Sequence, residues 1–156
     1  MAFARILVDG YSLLHAWPEL AKGKARYSAA AREELIHQLR LHSDSIGTPI
    51  TVVFDGQGPT PSVAVEAPST PMMEIIYSKS GQTADDIIER VTAKLVNYGE
   101  VLVVSDDFAE RDTVVSVGGN VCSCDYFIRQ IEGTYDEFQK QLQRRNQAEL
   151  KRFKKQ

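Results

Sequence analysis

The apolar residues of this chain fall into short continuous runs that take turns with stretches of helical spacing. Ala4-Arg5-Ile6-Leu7-Val8-Asp9 has one polar member, Arg5, before its closing aspartate. That is the pattern of a strand covered on both faces, as in a parallel sheet. Ile50-Thr51-Val52-Val53-Phe54, Met73–Tyr77 and the fully apolar Val101–Val104 predict three more strands, and Val121-Cys122 a brief fifth. Between them, Leu35, Ile36 and Leu39 recur at helical spacing behind Ser28, which can cap a helix over residues 29–42 before Gly47 and Pro49 break the chain. Ile87, Ile88, Val91, Leu95 and Val96 form the inner face of a helix opened by Thr83, with Asp86 as its reciprocal capping partner, and ended by Gly99. A short helix is expected over residues 107–113 and another over 124–132, capped by Ser123 and closed by Gly133. Thr134-Tyr135-Asp136-Glu137 then matches a capping box that starts a last helix. Residues 10–27 read as a loop, and so do 56–71, rich in Gly and Pro, with Val63 and Val65 as an edge piece. The order β-α-β-β-α-β-α-β-α-α predicts a single α/β domain with a central, mainly parallel sheet of four to five strands flanked by helices.

Composition narrows this little, but charge does more. Hydrophobic residues make up 43% and charged residues 25% of the 156, an ordinary globular balance. No apolar run approaches the roughly 18 residues of a membrane span, and the opening residues carry no leader pattern. The expected location is the cytoplasm, with no membrane partner, and Cys122 and Cys124 are expected as reduced thiols. The formal net charge of −3 conceals an asymmetry: residues 140–156 hold seven basic residues and one acid, leaving residues 1–139 with a net of −9. The division drawn is a body over 1–139 and a basic helical tail over 140–156. An acidic body with a basic tail suits a nucleic-acid partner, and equally a solvated helix that offsets the body's charge.

The candidate chemistry lies at the strand ends. Three strands end in aspartate, at Asp9, Asp55 and Asp106 with Asp107 beside it, and Asp85-Asp86 stands at a helix N-terminus. In a parallel sheet these positions share one edge, where open α/β sheets place their ligands. Each acid also has an ordinary use, as a turn residue or a helix cap. Together they form a cluster of like charges that needs neutralising. Hard oxygen ligands suit Mg²⁺ or Mn²⁺, as one ion or two, and such sites serve phosphodiester cleavage.

Asp9-Gly10-Tyr11-Ser12-Leu13-Leu14 resembles the opening of the YacP-like branch of the NYN family, within the PIN-like nucleases. The similarity continues through Ala16-Trp17-Pro18, Val52–Asp55, Thr83–Asp86, Ser105-Asp106 and Gly118–Glu132. It implies a PIN-like fold and metal-dependent endoribonuclease activity. By motif match, Asp9, Asp85 and Asp106 are the catalytic and metal-site acids, Asp86 and Asp107 neighbouring ligand candidates, and Ser12, Asp55 and Ser105 supporting or substrate-positioning residues. Ser12 stands where the family pattern has asparagine; a hydroxyl has a shorter reach than an amide. RNA, single-stranded, is the implied partner, with ribosome or ribonucleoprotein association in view. Lys22, Lys24 and Arg26 of the first loop and Arg144, Arg145, Lys151 and Arg152 of the tail are the expected phosphate contacts. Trp17, Tyr11 and His15 could stack on unpaired bases, though aromatics of this size more often bury their area in the core. His37 and His42 are expected on the surface of the first long helix. The sequence leaves oligomeric state, cleavage specificity and metal number open.

Other readings of an acid-edged sheet fit less well. A phosphoacceptor receiver needs a lysine after its last strand, and none lies between Lys94 and Lys140. A haloacid-dehalogenase-type phosphatase needs an acid at the position of Tyr11, and a dinucleotide-binding turn is absent. The serious rival is a non-catalytic RNA-binding or ribosome-docking module on the same fold.

Overall fold

A computed structural model describes residues 3–23, 25, 27–56, 69–79 and 81–154. Five strands, β1 (Arg5–Asp9), β2 (Ile50–Phe54), β3 (Met73–Tyr77), β4 (Val101–Val104) and β5 (Asn120–Cys122), form one sheet in the order β3-β2-β1-β4-β5. Every pairing is parallel, and Val8 lies beside Val52 on one side and Val104 on the other. The chain builds outward from β1 to β3, then crosses back to β4. The strand order therefore reverses between β1 and β4, which opens a crevice at their carboxyl ends.

The period of two along the strands sorts the core into two layers. Ile6, Val8, Ile50, Val52, Phe54 and Val104 face α1 (Gly10–Ala16), α2 (Ala29–Ile46) and α5 (Cys124–Lys154). Leu7, Val53, Val101 and Val103 face α3 (Ala84–Leu95) and α4 (Phe108–Ser116). Arg5 belongs to the second face, where it donates to Thr51 Oγ1 at 2.8 Å, and Thr51 in turn donates to Glu74 Oε1 at 3.2 Å. A central strand thereby accommodates its one cation within a polar ladder.

Three local expectations are corrected. Residues 10–27 are not a loop throughout: α1 starts directly after β1, and a 3₁₀ turn spans Pro18–Ala21. Asp9 ends the strand and caps the helix at once, its Oδ1 accepting from the Ser12 N–H at 3.3 Å. At Gly10 the Phe54 ring occupies the space a Cβ would need. Its role is close packing. Trp17 is buried in the core.

The second correction concerns Gly133. The expected pair of helices is one helix, α5, of 31 residues. A glycine inside a helix costs only about 1 kcal/mol, and Thr134, expected to cap, instead donates its hydroxyl to the Gln130 carbonyl at 2.9 Å. The third is His42, which lies on the inner face of α2. Its ring packs edge-on against Phe127 at 5.5 Å, and burial holds its pKa below the ordinary value. α2 itself runs on to Ile46, where Gly47 at φ +69° ends it. Val63 and Val65 lie outside the described residues. Among those described, no helix is long and apolar enough to cross a membrane.

Candidate metal centre

The strand parity decides which acids meet. Arg5, Leu7 and Asp9 alternate onto the α3–α4 face of β1, and Val101, Val103 and Ser105 do the same on β4. Asp9 is half-buried at the crevice. Ser105 is fully buried, and its backbone N–H extends the ladder to the Cys122 carbonyl at 3.2 Å. Across from them stand the first turns of α3 and α4, which contribute Asp85 and Glu110. One carboxylate oxygen from each of Asp9, Asp85 and Glu110 lies within 4.8 Å of the others.

Each acid of the trio is held by its own element. Asp9 is tied to the Ser12 N–H. Asp85 sits inside the first turn of α3, where a negative charge is favoured by the helix dipole. The neighbouring Asp86 is spent on the cap: its Oδ2 accepts from the Thr83 N–H and its N–H donates to Thr83 Oγ1, both at 3.1 Å. Glu110 is only 4% exposed. Its Oε2 accepts from Ser105 Oγ at 2.8 Å, whereas no donor among the described residues reaches the buried Oε1. Asp107 caps α4, its Oδ1 accepting from the N–H groups of Ala109 at 2.9 Å and Glu110 at 3.3 Å. Ser105 Oγ also accepts from the Asp107 N–H at 3.1 Å, so one hydroxyl orients both the cap and the buried acid.

Two of these carboxylates, Glu110 and Asp9, resist ionisation. Burial raises the Glu110 pKa to about 9, helped by the neighbouring Asp85 and Asp9 carboxylates, while the Ser105 hydroxyl opposes. Burial also raises Asp9 to about 6, with Asp85 and Asp55 adding repulsion and the bonds to Ser12 and Glu110 countering it. A buried acceptor without a donor, in a nest of oxygens that cannot all be charged alone, matches what a hard divalent cation requires. The donor set therefore fits such an ion.

The remaining acids have other positions. Asp106 points to the opposite face of β4 from Ser105. Its Oδ1 accepts from the Cys124 N–H at 2.9 Å and so caps α5, and its own N–H donates to Ser12 Oγ at 3.2 Å. Ser12, which also meets Cys124 Sγ at 3.5 Å, thus ties α1 to the ends of β4 and α5. Asp55, at the end of β2, accepts from Ser78 Oγ at 3.1 Å. Cys122 and Cys124 are free, and burial pushes their thiols up to about 11 and about 12, so neither is a nucleophile at neutral pH.

Glu110 is the residue that sequence reasoning missed. Standing three positions after the N-cap Asp107, it reads as a capping glutamate in Asp107-Phe108-Ala109-Glu110. The available signal was Ser105, the β4 residue that shares Asp9's face.

The basic residues lie elsewhere. Lys22 is exposed after the 3₁₀ turn, and Lys24 and Arg26 lie outside the described residues. α5 starts at the carboxyl edge beside Asp106, buries Cys124, Phe127, Ile128 and Ile131, and runs past α2, with which it lines a shared groove as far as Gln141. Arg144, Arg145, Lys151 and Arg152 follow on its exposed continuation; Arg144 makes a 3.5 Å ion pair with Glu137.

A family model described as the YacP-like NYN domain matches residues 6–156. The uncharacterized protein YacP of Bacillus subtilis (strain 168) is 29% identical over 128 residues, covering 81% of this chain and 74% of that protein. The crystal structure of Rae1 (YacP) from Bacillus subtilis superposes with a TM-score of 0.75 at 26% identity, covering 92% of this chain and 81% of that one. A point mutant of the same protein gives a TM-score of 0.75 over 90% of this chain and 81% of that one.

Proposed function

The chain belongs to the YacP-like NYN domain family, and from that premise we propose that the acid crevice is the catalytic centre of a metal-dependent endoribonuclease. It hydrolyses phosphodiester bonds of RNA. The observation that carries this reading is the convergence of the Asp9, Asp85 and Glu110 carboxylates, with one buried Glu110 oxygen lacking a donor among the described residues.

Asp9, Asp85 and Glu110 would hold the ion. When bound, Mg²⁺ or Mn²⁺, as one ion or a pair, lowers the pKa of a water and offsets charge on a phosphate oxygen. The chain's own groups prepare the place. The Ser12 N–H fixes one Asp9 oxygen, and the Ser105 hydroxyl fixes one Glu110 oxygen. Asp86 and Asp107 act through the helices they cap, setting the first turns that carry Asp85 and Glu110. Asp106 and Asp55 border the crevice as positioning acids, the first through Ser12 and the start of α5. At neutral pH the metal-free crevice keeps a proton on Glu110, which a bound cation would displace.

Substrate is gripped by charge away from the acids. Residues 1–139 form the catalytic body, and 140–156 continue α5 as an extension of it. α5 has 31 residues, about 46 Å at ~1.5 Å per residue, and among the described side chains its buried ones end at Ile131. Lys140, Arg144, Arg145, Lys151 and Arg152 are therefore carried beyond the body to meet phosphates. Exposed Lys22 supplies a further positive charge for phosphate, and Lys24 and Arg26, outside the described residues, carry the same charge in sequence. The substrate is single-stranded RNA, free or presented by a ribonucleoprotein such as the ribosome, in the cytoplasm.

The test is direct. Purified protein is incubated with labelled single-stranded RNA and Mn²⁺ or Mg²⁺, beside Asp9→Asn and Glu110→Gln. Internal cleavage that needs the metal and disappears in both variants is expected. Wild-type binding to several RNAs with no metal-dependent cleavage would leave the non-catalytic module in its place.

A further inference from the structure

We propose that Tyr27 is a preset stacking platform for an unpaired base at the carboxyl-edge side of α1 and α2, a reading that rests on RNA being the substrate class. Tyr27 immediately precedes the Ser28 cap of α2 and is 46% exposed. An exposed tyrosine ordinarily keeps its rotamer freedom, but this one is held at three points. Its ring meets Tyr11 edge-on at 5.3 Å and 87°. Its hydroxyl bonds His15 Nδ1 at 3.1 Å. Its backbone carbonyl accepts from Arg32 Nη1 at 2.9 Å.

The support continues inward. Tyr11 packs on Phe54 at 5.3 Å, and Phe54 stacks on Tyr77 at 5.4 Å and 25°. Four rings thus run along the carboxyl edge of β3, β2 and β1, from the fully buried Phe54 region out to Tyr27. Tyr11 stands two residues after Asp9, in the first turn of the helix that Asp9 caps. The ring series thus starts beside the strand end that carries Asp9, and its outermost member is open to solvent. Because that ring's freedom is already lost, stacking on it carries little further ordering cost. Every base has a π-face, so the platform tolerates any sequence but requires an unstacked base. Duplex RNA, whose bases are already stacked, gains nothing from it. Lys22, exposed five residues earlier, supplies charge for the same strand.

The experiment is equilibrium binding of a fluorescein-labelled single-stranded oligoribonucleotide in EDTA, where no metal-dependent cleavage interferes. Tyr27→Ala should weaken binding by about 5- to 100-fold, the range of one base–aromatic stack. Tyr27→Phe, which keeps the ring, should retain most of the affinity. Tyr27→Leu, which keeps apolar bulk for the fold but has no π-face, should lose it as Tyr27→Ala does. At one nucleotide, removing the base should cost as much as Tyr27→Ala, and the two losses should not add. The matching duplex should bind all variants alike. Equal single-strand affinity of wild type, Tyr27→Ala and Tyr27→Leu would overturn the proposal, as would a Tyr27→Phe loss as large as that of Tyr27→Ala. A protein that cleaves RNA with Mn²⁺ but ignores these variants refutes the platform alone. One that binds through Tyr27 but never cleaves refutes the nuclease reading alone.

Discussion

Replacing Glu110 by glutamine should stabilise the metal-free protein while removing its response to metal. The Glu110 carboxyl is 4% exposed and its pKa is raised from 4.5 to about 9, first by burial. Between those two values the folded state keeps a proton that the unfolded state releases. Stability therefore falls as pH rises across that window. Each pKa unit corresponds to about 1.4 kcal/mol. If half of the shift acts over the range to pH 8, the wild type loses about 3 kcal/mol there, or roughly 6–12 °C in Tm for a domain of this size. Glutamine does not titrate. It can accept the Ser105 hydroxyl through its oxygen and donate from its amide toward Asp85 or Asp9, satisfying the position that Oε1 leaves open. Thermal unfolding followed by circular dichroism in EDTA, from pH 5 to 9, should show Glu110→Gln above wild type at pH 8. The two curves should converge near pH 5. Mn²⁺ should then raise the wild-type midpoint and leave the variant nearly unmoved. A variant less stable than wild type at every pH, or equal stabilisation of both by Mn²⁺, would refute the reasoning.

Ser105→Ala removes the hydroxyl that orients both Glu110 and Asp107; metal affinity should fall by about 10- to 100-fold, as for other groups that orient a ligand, in an isothermal titration with Mn²⁺. Gly10→Ala drives a methyl into the Phe54 ring and should cost about 1–3 kcal/mol in urea unfolding, with an unchanged midpoint counting against the close packing at β1. Ending the chain after residue 139 should leave cleavage of a short RNA intact, while the dependence of log affinity on log salt for long RNA becomes shallower by about 0.7 for each phosphate that the tail neutralises. An unchanged salt slope would show that the tail does not engage phosphate.

The strands were legible because burial on both faces leaves an unbroken apolar run, and the aspartates that follow β1, β2 and β4 mark the carboxyl edge whatever the helices do. The meeting of acids was only partly legible. Ser105 and Asp106 are adjacent in sequence yet project to opposite faces, and which one enters the crevice depends on the parity of β4. Asp106, expected among the metal acids, caps α5 from the far face. Glu110 was hidden because a glutamate three residues after a cap looks the same in sequence whether it turns back to the backbone or inward. Its direction is set by how α4 sits on the sheet. Gly133 misled because glycine is permissive, and only its neighbours decide whether the chain bends there. Gly10 makes room for Phe54, and at Gly133 the helix continues.

The proposed chemistry stands or falls on which side chains ligate the ion. A crystal grown or soaked with Mn²⁺, with anomalous diffraction recorded at the manganese edge, locates the ion without reference to activity. A peak is expected between Asp9, Asp85 and Glu110, with oxygen distances of roughly 2.0–2.3 Å as for a hard divalent ion. A peak held by Asp106 and Asp107 with Glu110 uninvolved, or no peak at Mn²⁺ concentrations that saturate binding in solution, would contradict the assignment.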